Sequence, residues 1–224
     1  MPRRLLAVAI SGALALTGLA ACRDLPTVAA YVGSAQLTNA EVESMVKEFP
    51  QEVRDQATGT IRRIVVTNFV ASQTARLLAK EHNLTVPPAD VAPYEAAARR
   101  AGIRVDGPFI RLQAEADAAL ASIAKVGTPQ PPTDADKREI FASLVDQDVV
   151  RADEYEAVKN QIDSPQLRAA LGLRPVMKDA LHRYGVSVNP RYQPLSLPVQ
   201  FSIGQVTTQV AVSLEPPTAM TVRG

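Results

Sequence analysis

Cysteine, histidine and tryptophan are almost absent from this 224-residue chain, which has one cysteine, two histidines and no tryptophan. A single cysteine cannot form a disulfide within the chain, so a disulfide-stapled fold is excluded. His82 and His182 each lie in the last turn of a predicted helix, where a cationic ring interacts favourably with the helix dipole. Because nucleophile–base pairs and the common catalytic motifs are missing, we expect a protein without enzymatic activity, cofactor or metal site.

Charge of one sign is also lacking, since 24 basic and 23 acidic side chains leave a formal net charge of +1. A nucleic-acid-binding protein typically carries a basic stripe, so nucleic acid is excluded as a partner. Aromatic residues make up only 4% of the chain, whereas hydrophobic residues make up 46%. We therefore expect a core of aliphatic side chains and alanine that folds without disulfides.

Two charged features of the sequence have a functional and a structural interpretation. The acidic stretch at residues 146–156 begins like a calcium-binding loop, but Val150, Arg151 and Ala157 stand where that loop needs an oxygen ligand, glycine and glutamate. The arginine pairs at residues 62–63 and 99–100 either contact anionic lipid headgroups or form the solvated face of a helix. Calcium binding is excluded by this pattern, and both interpretations of the arginines stay open.

The N-terminus has the three parts of a secretory signal peptide. Arg3 and Arg4 precede an apolar run at residues 5–19, which ends in the small residues Ala20 and Ala21. The run is shorter than the roughly 20 residues that a bilayer-spanning helix needs. We predict that residues 1–21 are a signal peptide and are removed.

The end of this segment resembles the lipobox of bacterial lipoproteins. Its residues are Leu19, Ala20, Ala21 and Cys22, the only cysteine. The resemblance implies that the Cys22 sulfur carries a diacylglycerol and that Cys22 begins the mature chain. We expect a protein outside the cytoplasm, anchored to membrane lipid through Cys22, with residues 22–27 as its tether. The alternative is an ordinary secretory signal whose cysteine is incidental.

Helix-start signals recur from residue 38 to residue 184. Thr38 and Glu41 form a capping box, and residues 51–82 carry apolar positions at helical spacing, with Gly59 as a possible interruption. A further helix covers residues 108–126. The other predicted starts are Asp90, the Thr133–Asp136 capping box, Ser164 followed by Pro165, and Pro175.

Strand signals lie at the two ends of this helical region. Residues 28–33 and 186–189 are short and rich in small and β-branched side chains, while residues 197–204 and 205–214 alternate. In the first of the alternating stretches, Val199, Phe201 and Ile203 share a face. The predicted fold is mainly α, with a small β-sheet joining the N- and C-terminal segments. We predict one domain at residues 28–203, followed by a C-terminal strand and loose tail at residues 204–224.

Two segments of this fold resemble a known family. "VAAYVGSAQLTNAEV", residues 28–42, and "GVSVNPRY", residues 185–192, resemble the start and the end of actinobacterial lipoproteins of the SurA N-terminal-domain family. The resemblance implies a SurA-like helical domain that acts as a chaperone for unfolded secreted polypeptides. It does not imply prolyl isomerase activity, because residues 87–175 are helical in pattern and contain no histidine, so we expect no parvulin domain.

The expected function is therefore that of a holdase, a protein that binds unfolded chains in an apolar groove between helices without catalysis. The sequence does not identify the residues that line such a groove. The alternative is an anchored interaction module or envelope-complex subunit with one dedicated protein partner. A broad apolar cleft would favour the holdase, and a small polar-rimmed patch would favour the single partner.

Overall fold

A computed structural model describes residues 27–146, 148–203 and 206–214, with side chains throughout except at residues 197–211. The predicted signal peptide, the lipobox with Cys22, and residues 215–224 lie outside the described residues. The helices are α1 (Asn39–Val46), α2 (Gln51–Glu81), α3 (Ala92–Arg100), α4 (Pro108–Ile123), α5 (Asp134–Asp146), α6 (Tyr155–Val158) and α7 (Pro165–Arg183). The strands are β1 (Val28–Val32), β2 (Ala35–Thr38), β3 (Ser187–Val188), β4 (Leu195–Ile203) and β5 (Val206–Leu214). The prediction of a mainly helical chain with a small antiparallel sheet is confirmed.

The first sheet joins the beginning of the described chain to the segment that follows the last helix. Its strand order is β2-β1-β3 and both pairings are antiparallel. Ala30 in the central strand lies opposite Leu37 on one side and Val188 on the other. Because β3 follows α7, this pairing closes the helical region into one unit.

Helix α2 is the central element of the helical body, the part of the fold formed by helices α1 to α7. Every residue from 65 to 72 is buried, which is the pattern of a helix covered on all sides. The burial includes polar side chains, among them Asn68, Ser72 and Thr74. The predicted interruption at Gly59 is wrong by two residues, because the non-helical backbone is at Ala57, with φ −132° and ψ 17°. This irregularity lies in the first part of α2, where residues 51–60 are exposed or half-buried.

Helix α4 packs along α2, and both helices contribute small side chains to the core. Small residues let two helix backbones approach closely, which suits a chain with few aromatic residues. The buried alanines of the two helices are Ala71, Ala75 and Ala79 in α2 and Ala114, Ala116 and Ala119 in α4. The predicted end of α4 at residue 126 is three residues too late, because the helix ends at Ile123.

Helix α7 runs through Pro175 without a break, so the separate helix predicted to start there is wrong. Proline removes the N–H that would bond the carbonyl four residues earlier, at Leu171. Leu171 and Met177, on either side of it, are both buried and belong to the same core. Packing on both sides therefore holds one continuous helix against the local preference of proline.

The glycine- and proline-rich connector before α5 lies directly on the backbone of α7. A Cβ atom on Gly172 would overlap the carbonyl oxygen of Thr128, and one on Gly127 would overlap the carbonyl of Gly172. The N–H of Gln130 donates to the carbonyl of Arg168 at 2.9 Å. Glycine is required at this crossing because the two backbones touch.

The second sheet is a hairpin formed by β4 and β5. Its register runs without a bulge from the pair Leu195–Leu214 to the pair Ile203–Val206. Each strand has nine residues, so the sheet is about 30 Å long. The predicted domain boundary after residue 203 falls between these two paired strands.

Candidate binding surface

The register of the second sheet separates apolar from polar positions. Paired residues of an antiparallel sheet lie on the same face, and successive residues alternate between faces. The positions of one face, called here the apolar face, are Leu195, Leu197, Val199, Phe201, Ile203, Val206, Thr208, Val210, Val212 and Leu214. The positions of the other, the polar face, are Ser196, Pro198, Gln200, Ser202, Thr207, Gln209, Ala211 and Ser213. This register places Val199, Phe201 and Ile203 on one face, as the sequence predicts.

One end of the apolar face is part of the protein core. Leu195, Val212 and Leu214 are buried, whereas Ser196 and Ser213 on the polar face are only half-buried. Helices α2, α5 and α7 contact these strands. The sheet is therefore anchored to the helical body at the end where Leu195 pairs with Leu214, and the apolar pattern continues along both strands beyond it.

The second sheet also lacks any ionisable side chain. Residues 195–214 contain no Asp, Glu, Lys, Arg, His, Cys or Tyr. In an otherwise charged sequence this composition restricts recognition by the sheet to apolar contacts and hydrogen bonds. A ligand of the sheet would thus bind without ion pairs.

The helical body, in its described part, exposes few large apolar side chains. Val53, Ile64 and Leu84 are the ones exposed there, at 38–40% each, and they occur singly along α2 and just after it. Isolated exposed apolar residues are normal for a soluble surface. Met45 and Met177 are buried in the core. The described helices thus expose only isolated large apolar side chains, and the groove between helices stays a prediction.

A shallow depression of about 370 Å³ lies over the loop between α5 and α6. Its lining includes Val149, Asp148, Arg151 and Glu154. The Glu154 carboxylate accepts from the N–H of Arg151 at 2.8 Å, and the Arg151 guanidinium pairs with Asp153 at 2.9 Å. Arg151, Asp153 and Glu154 thus satisfy one another within the loop, and the depression offers little for a ligand.

The two histidines lie where the sequence predicts, at the ends of long helices. His82 follows α2 as its C-cap, and His182 lies in the last turn of α7. Glu81 connects these two ends by accepting hydrogen bonds from Arg183, at 2.6 Å, and from the Tyr184 hydroxyl. Within the described residues, no group of three or more His, Cys, Asp or Glu side chains could hold a metal ion.

The first arginine of each pair forms an ion pair with a carboxylate of the protein. Arg62 makes a two-pronged contact with Glu43, with N–O distances of 2.7 and 2.8 Å, and joins α2 to α1. Arg99 pairs with Glu95 at 2.9 Å on α3. These contacts favour the solvated-face interpretation over binding to lipid headgroups.

A buried carboxylate at the start of α5 is fully supplied with donors. Asp136 is 7% exposed. It accepts from the hydroxyl and the N–H of Thr133 at 2.6 and 2.8 Å, which is the predicted capping box, and from Arg174 at 2.7 Å. Burial opposes ionisation, but these donors together lower the pKa of Asp136 below its ordinary value.

A second buried carboxylate, that of Glu48, packs against the start of α4 and was not predicted from the sequence. Glu48 is also 7% exposed, and its carboxylate accepts from the N–H of Phe109 at 3.1 Å, 61 residues away. Gly107 is the N-cap residue of α4 and has no side chain to cap the helix, so the Glu48 carboxylate does this instead. A Cβ atom at position 107 would overlap that carboxylate. The Glu48 Oε1 atom is buried without a donor. Burial raises the pKa of Glu48, against the lowering effect of the Phe109 N–H.

Comparison with known proteins gives no relative: no family model, no curated protein and no solved structure matches the chain. Within residues 27–146, 148–203 and 206–214, no helix combines the length and the apolar character that crossing a membrane requires. Cys22 lies outside these residues, so its lipid attachment stays a prediction.

Proposed function

We propose that this protein is a lipid-anchored, extracytoplasmic chaperone-like protein that binds unfolded secreted polypeptides and holds them without catalysis. The observation that carries the proposal is the second sheet, with its apolar face and its lack of ionisable groups. Unfolded chains share no sequence, but all of them expose apolar side chains. An uncharged apolar strand surface can accept such side chains without requiring a particular charged partner.

The binding positions in this proposal lie on the apolar face towards the hairpin turn and include Val199, Phe201 and Val210. Burying one large aliphatic or aromatic side chain contributes about 1.5–3 kcal/mol. The binding free energy from a few such contacts is reduced by the cost of ordering the client, that is, the bound unfolded polypeptide. The result is weak binding, with a Kd in the micromolar to millimolar range. Weak binding suits a holdase because the client is released without an energy source.

The proposed anchor places this surface close to the membrane. A diacylated Cys22 would be joined to β1 by residues 22–27, which span at most about 20 Å when extended. Two acyl chains give stable anchoring. We expect the variant Cys22→Ala to move from the membrane fraction to the soluble fraction of cells, and equal membrane retention would contradict the lipid anchor.

The resemblance to the SurA N-terminal-domain family supports the same function. Its two segments, residues 28–42 and 185–192, are distant in sequence, yet β1 and β3 within them pair in the first sheet. The resemblance thus covers the part of the fold that closes the helical body.

Light scattering tests the proposed function. A model protein such as citrate synthase is diluted from denaturant with and without the soluble fragment of residues 23–224 at equal molar amount. We expect the fragment to suppress aggregation, whereas an unrelated folded protein of similar charge should not. A well-folded fragment that leaves aggregation unchanged would overturn the holdase and favour the anchored module with one dedicated partner.

A further inference from the structure

A side chain of the helical body reveals which backbone groups of the second sheet point outward. The Oε1 atom of Glu139 in α5 accepts a hydrogen bond from the N–H of Ser213 at 3.1 Å. This N–H therefore points away from β4, the partner strand. Ser213 and its partner Ser196 form a pair that is not hydrogen-bonded across the two strands.

This one contact sets the pattern for the whole sheet, because hydrogen-bonded and non-bonded pairs alternate along an antiparallel ladder. The register has no bulge between Ser213 and the hairpin turn. Outward N–H groups on β5 therefore belong to Thr207, Gln209 and Ala211. On β4, the outward positions are 196, 198, 200 and 202.

Pro198 agrees with this pattern and distinguishes the two edges. A proline has no N–H, and within a sheet it is tolerated at an edge position that faces outward. Position 198 is such a position, opposite Ala211. The proline interrupts the donors of the β4 edge near its middle, which is a common means of preventing strand addition. The β5 edge has no proline and keeps an unbroken series of donors from Thr207 to Ala211.

Within the described strands, no third strand pairs with either edge of the second sheet. The first sheet differs, because its central strand is paired on both sides. An edge with consecutive outward N–H and C=O groups is a template for another extended chain. β5 has no ionisable residue, so its edge offers main-chain hydrogen bonds without selection for charge.

We propose that the outer edge of β5, from Thr207 to Ala211, binds an extended segment of the client polypeptide as a third strand of the second sheet. This inference rests on the proposed holdase function and specifies how the client is held. Main-chain pairing gives affinity that is independent of the client sequence. The apolar face next to this edge then buries alternate client side chains.

A pair of proline variants tests this edge. Gln209 on β5 and Gln200 on β4 are register partners, and both have outward N–H positions. The substitution Gln209→Pro removes a donor and adds a ring at the proposed edge, and Gln200→Pro makes the same change at the opposite edge. The probe is reduced and carboxymethylated α-lactalbumin labelled with fluorescein. It is titrated with the fragment of residues 23–224, and binding is followed by fluorescence anisotropy. We expect Gln209→Pro to weaken binding about tenfold and Gln200→Pro to leave it unchanged.

Equal binding by the parent protein and Gln209→Pro, or equal weakening by both variants, would overturn the edge proposal while the holdase function stood. If the parent protein binds no probe, the proposed function itself fails. A second probe avoids any change to the protein: a lysine-flanked peptide of four Thr-Val repeats and its analogue methylated at every backbone nitrogen of the repeats. We expect binding of the peptide and loss of the analogue, and equal affinity for both would overturn main-chain pairing.

Discussion

The two sheets of this protein have the same antiparallel pairing but different side-chain patterns. In the first sheet, four of the five residues of β1 are buried, so both faces of that strand are covered. In the second sheet, nine of the ten positions of one face are apolar, and six of the eight positions of the other are Ser, Thr or Gln. A strand that is apolar on both faces closes a core, whereas an alternating strand has one apolar face to pack or to bind with. Because of this contrast, the first sheet closes the helical region, and client binding is proposed for the second sheet.

The largest expected effect comes from a charge placed in the first sheet. Ala30 is fully buried and lies between β2 and β3. We expect Ala30→Asp to lower the free energy of unfolding by about 3–5 kcal/mol, because the carboxylate would be buried without a partner. The matched variant Ala211→Asp, on the polar face of the second sheet, should cost clearly less than Ala30→Asp. Urea denaturation measures both, and equal costs would remove the distinction between the sheets.

The stability of the helical body should depend on pH, whereas the second sheet has no ionisable residue that could titrate. The lowered pKa of Asp136 stabilises the folded state above the ordinary value of 3.8, and this contribution is lost as pH falls through the lower folded pKa. We expect Asp136→Asn to cost about 2 kcal/mol at pH 7 and to approach the wild type in strong acid. Client binding measured between pH 5.5 and 8 should stay constant, and a pH-dependent affinity would implicate charged groups of the body.

A charge on the apolar face should affect binding more than stability. We expect Phe201→Asp to change the free energy of unfolding by less than about 1 kcal/mol, because the proposal assigns position 201 to client binding and not to the protein core. Suppression of citrate synthase aggregation should be lost. Ile64→Asp, at an exposed apolar position of α2, is the matched control and should retain suppression. Loss of suppression in both variants, or a large loss of stability in Phe201→Asp alone, would contradict the assignment.

The smallest effect concerns Glu48, the other buried carboxylate of the body. Its raised pKa gives a stabilising contribution below the ordinary value of 4.5, which is lost as pH rises through the higher folded pKa. Above that range the burial of this carboxyl therefore lowers the free energy of unfolding. We expect Glu48→Gln, which keeps an acceptor for the Phe109 N–H, to be slightly more stable than the wild type at pH 7 and equal to it below pH 4.5. Thermal denaturation across this range checks the sign, and a destabilised variant at pH 7 would show that the charge stabilises α4.

Features specified by neighbouring residues were predictable from the sequence. The capping boxes of Thr38 and Asp136 and the Ser164 cap involve residues three apart, and the structure contains all three. The alternation that defines the apolar face is equally local. Both the mainly helical fold and the candidate surface could therefore be predicted in outline.

Features that depend on distant contacts were not predictable. Glu48 caps a helix 61 residues away, and Pro175 stays inside α7 because residues on both sides of it are buried. The Gly172 crossing depends on a connector that precedes α5. The outward edge of β5 likewise follows from one long-range contact between Glu139 and Ser213. Tertiary packing decides each of these features, and local sequence signals do not encode it.

Site-specific photo-crosslinking is the most direct test of client binding by the second sheet. Benzoylphenylalanine is placed at Phe201 or, as a control, at the exposed Ile64 of α2, and each protein is irradiated with carboxymethylated α-lactalbumin. We predict crosslinked client from position 201 and little from position 64. Equal crosslinking from both positions, or crosslinking from position 64 alone, would contradict the assignment of client binding to the second sheet.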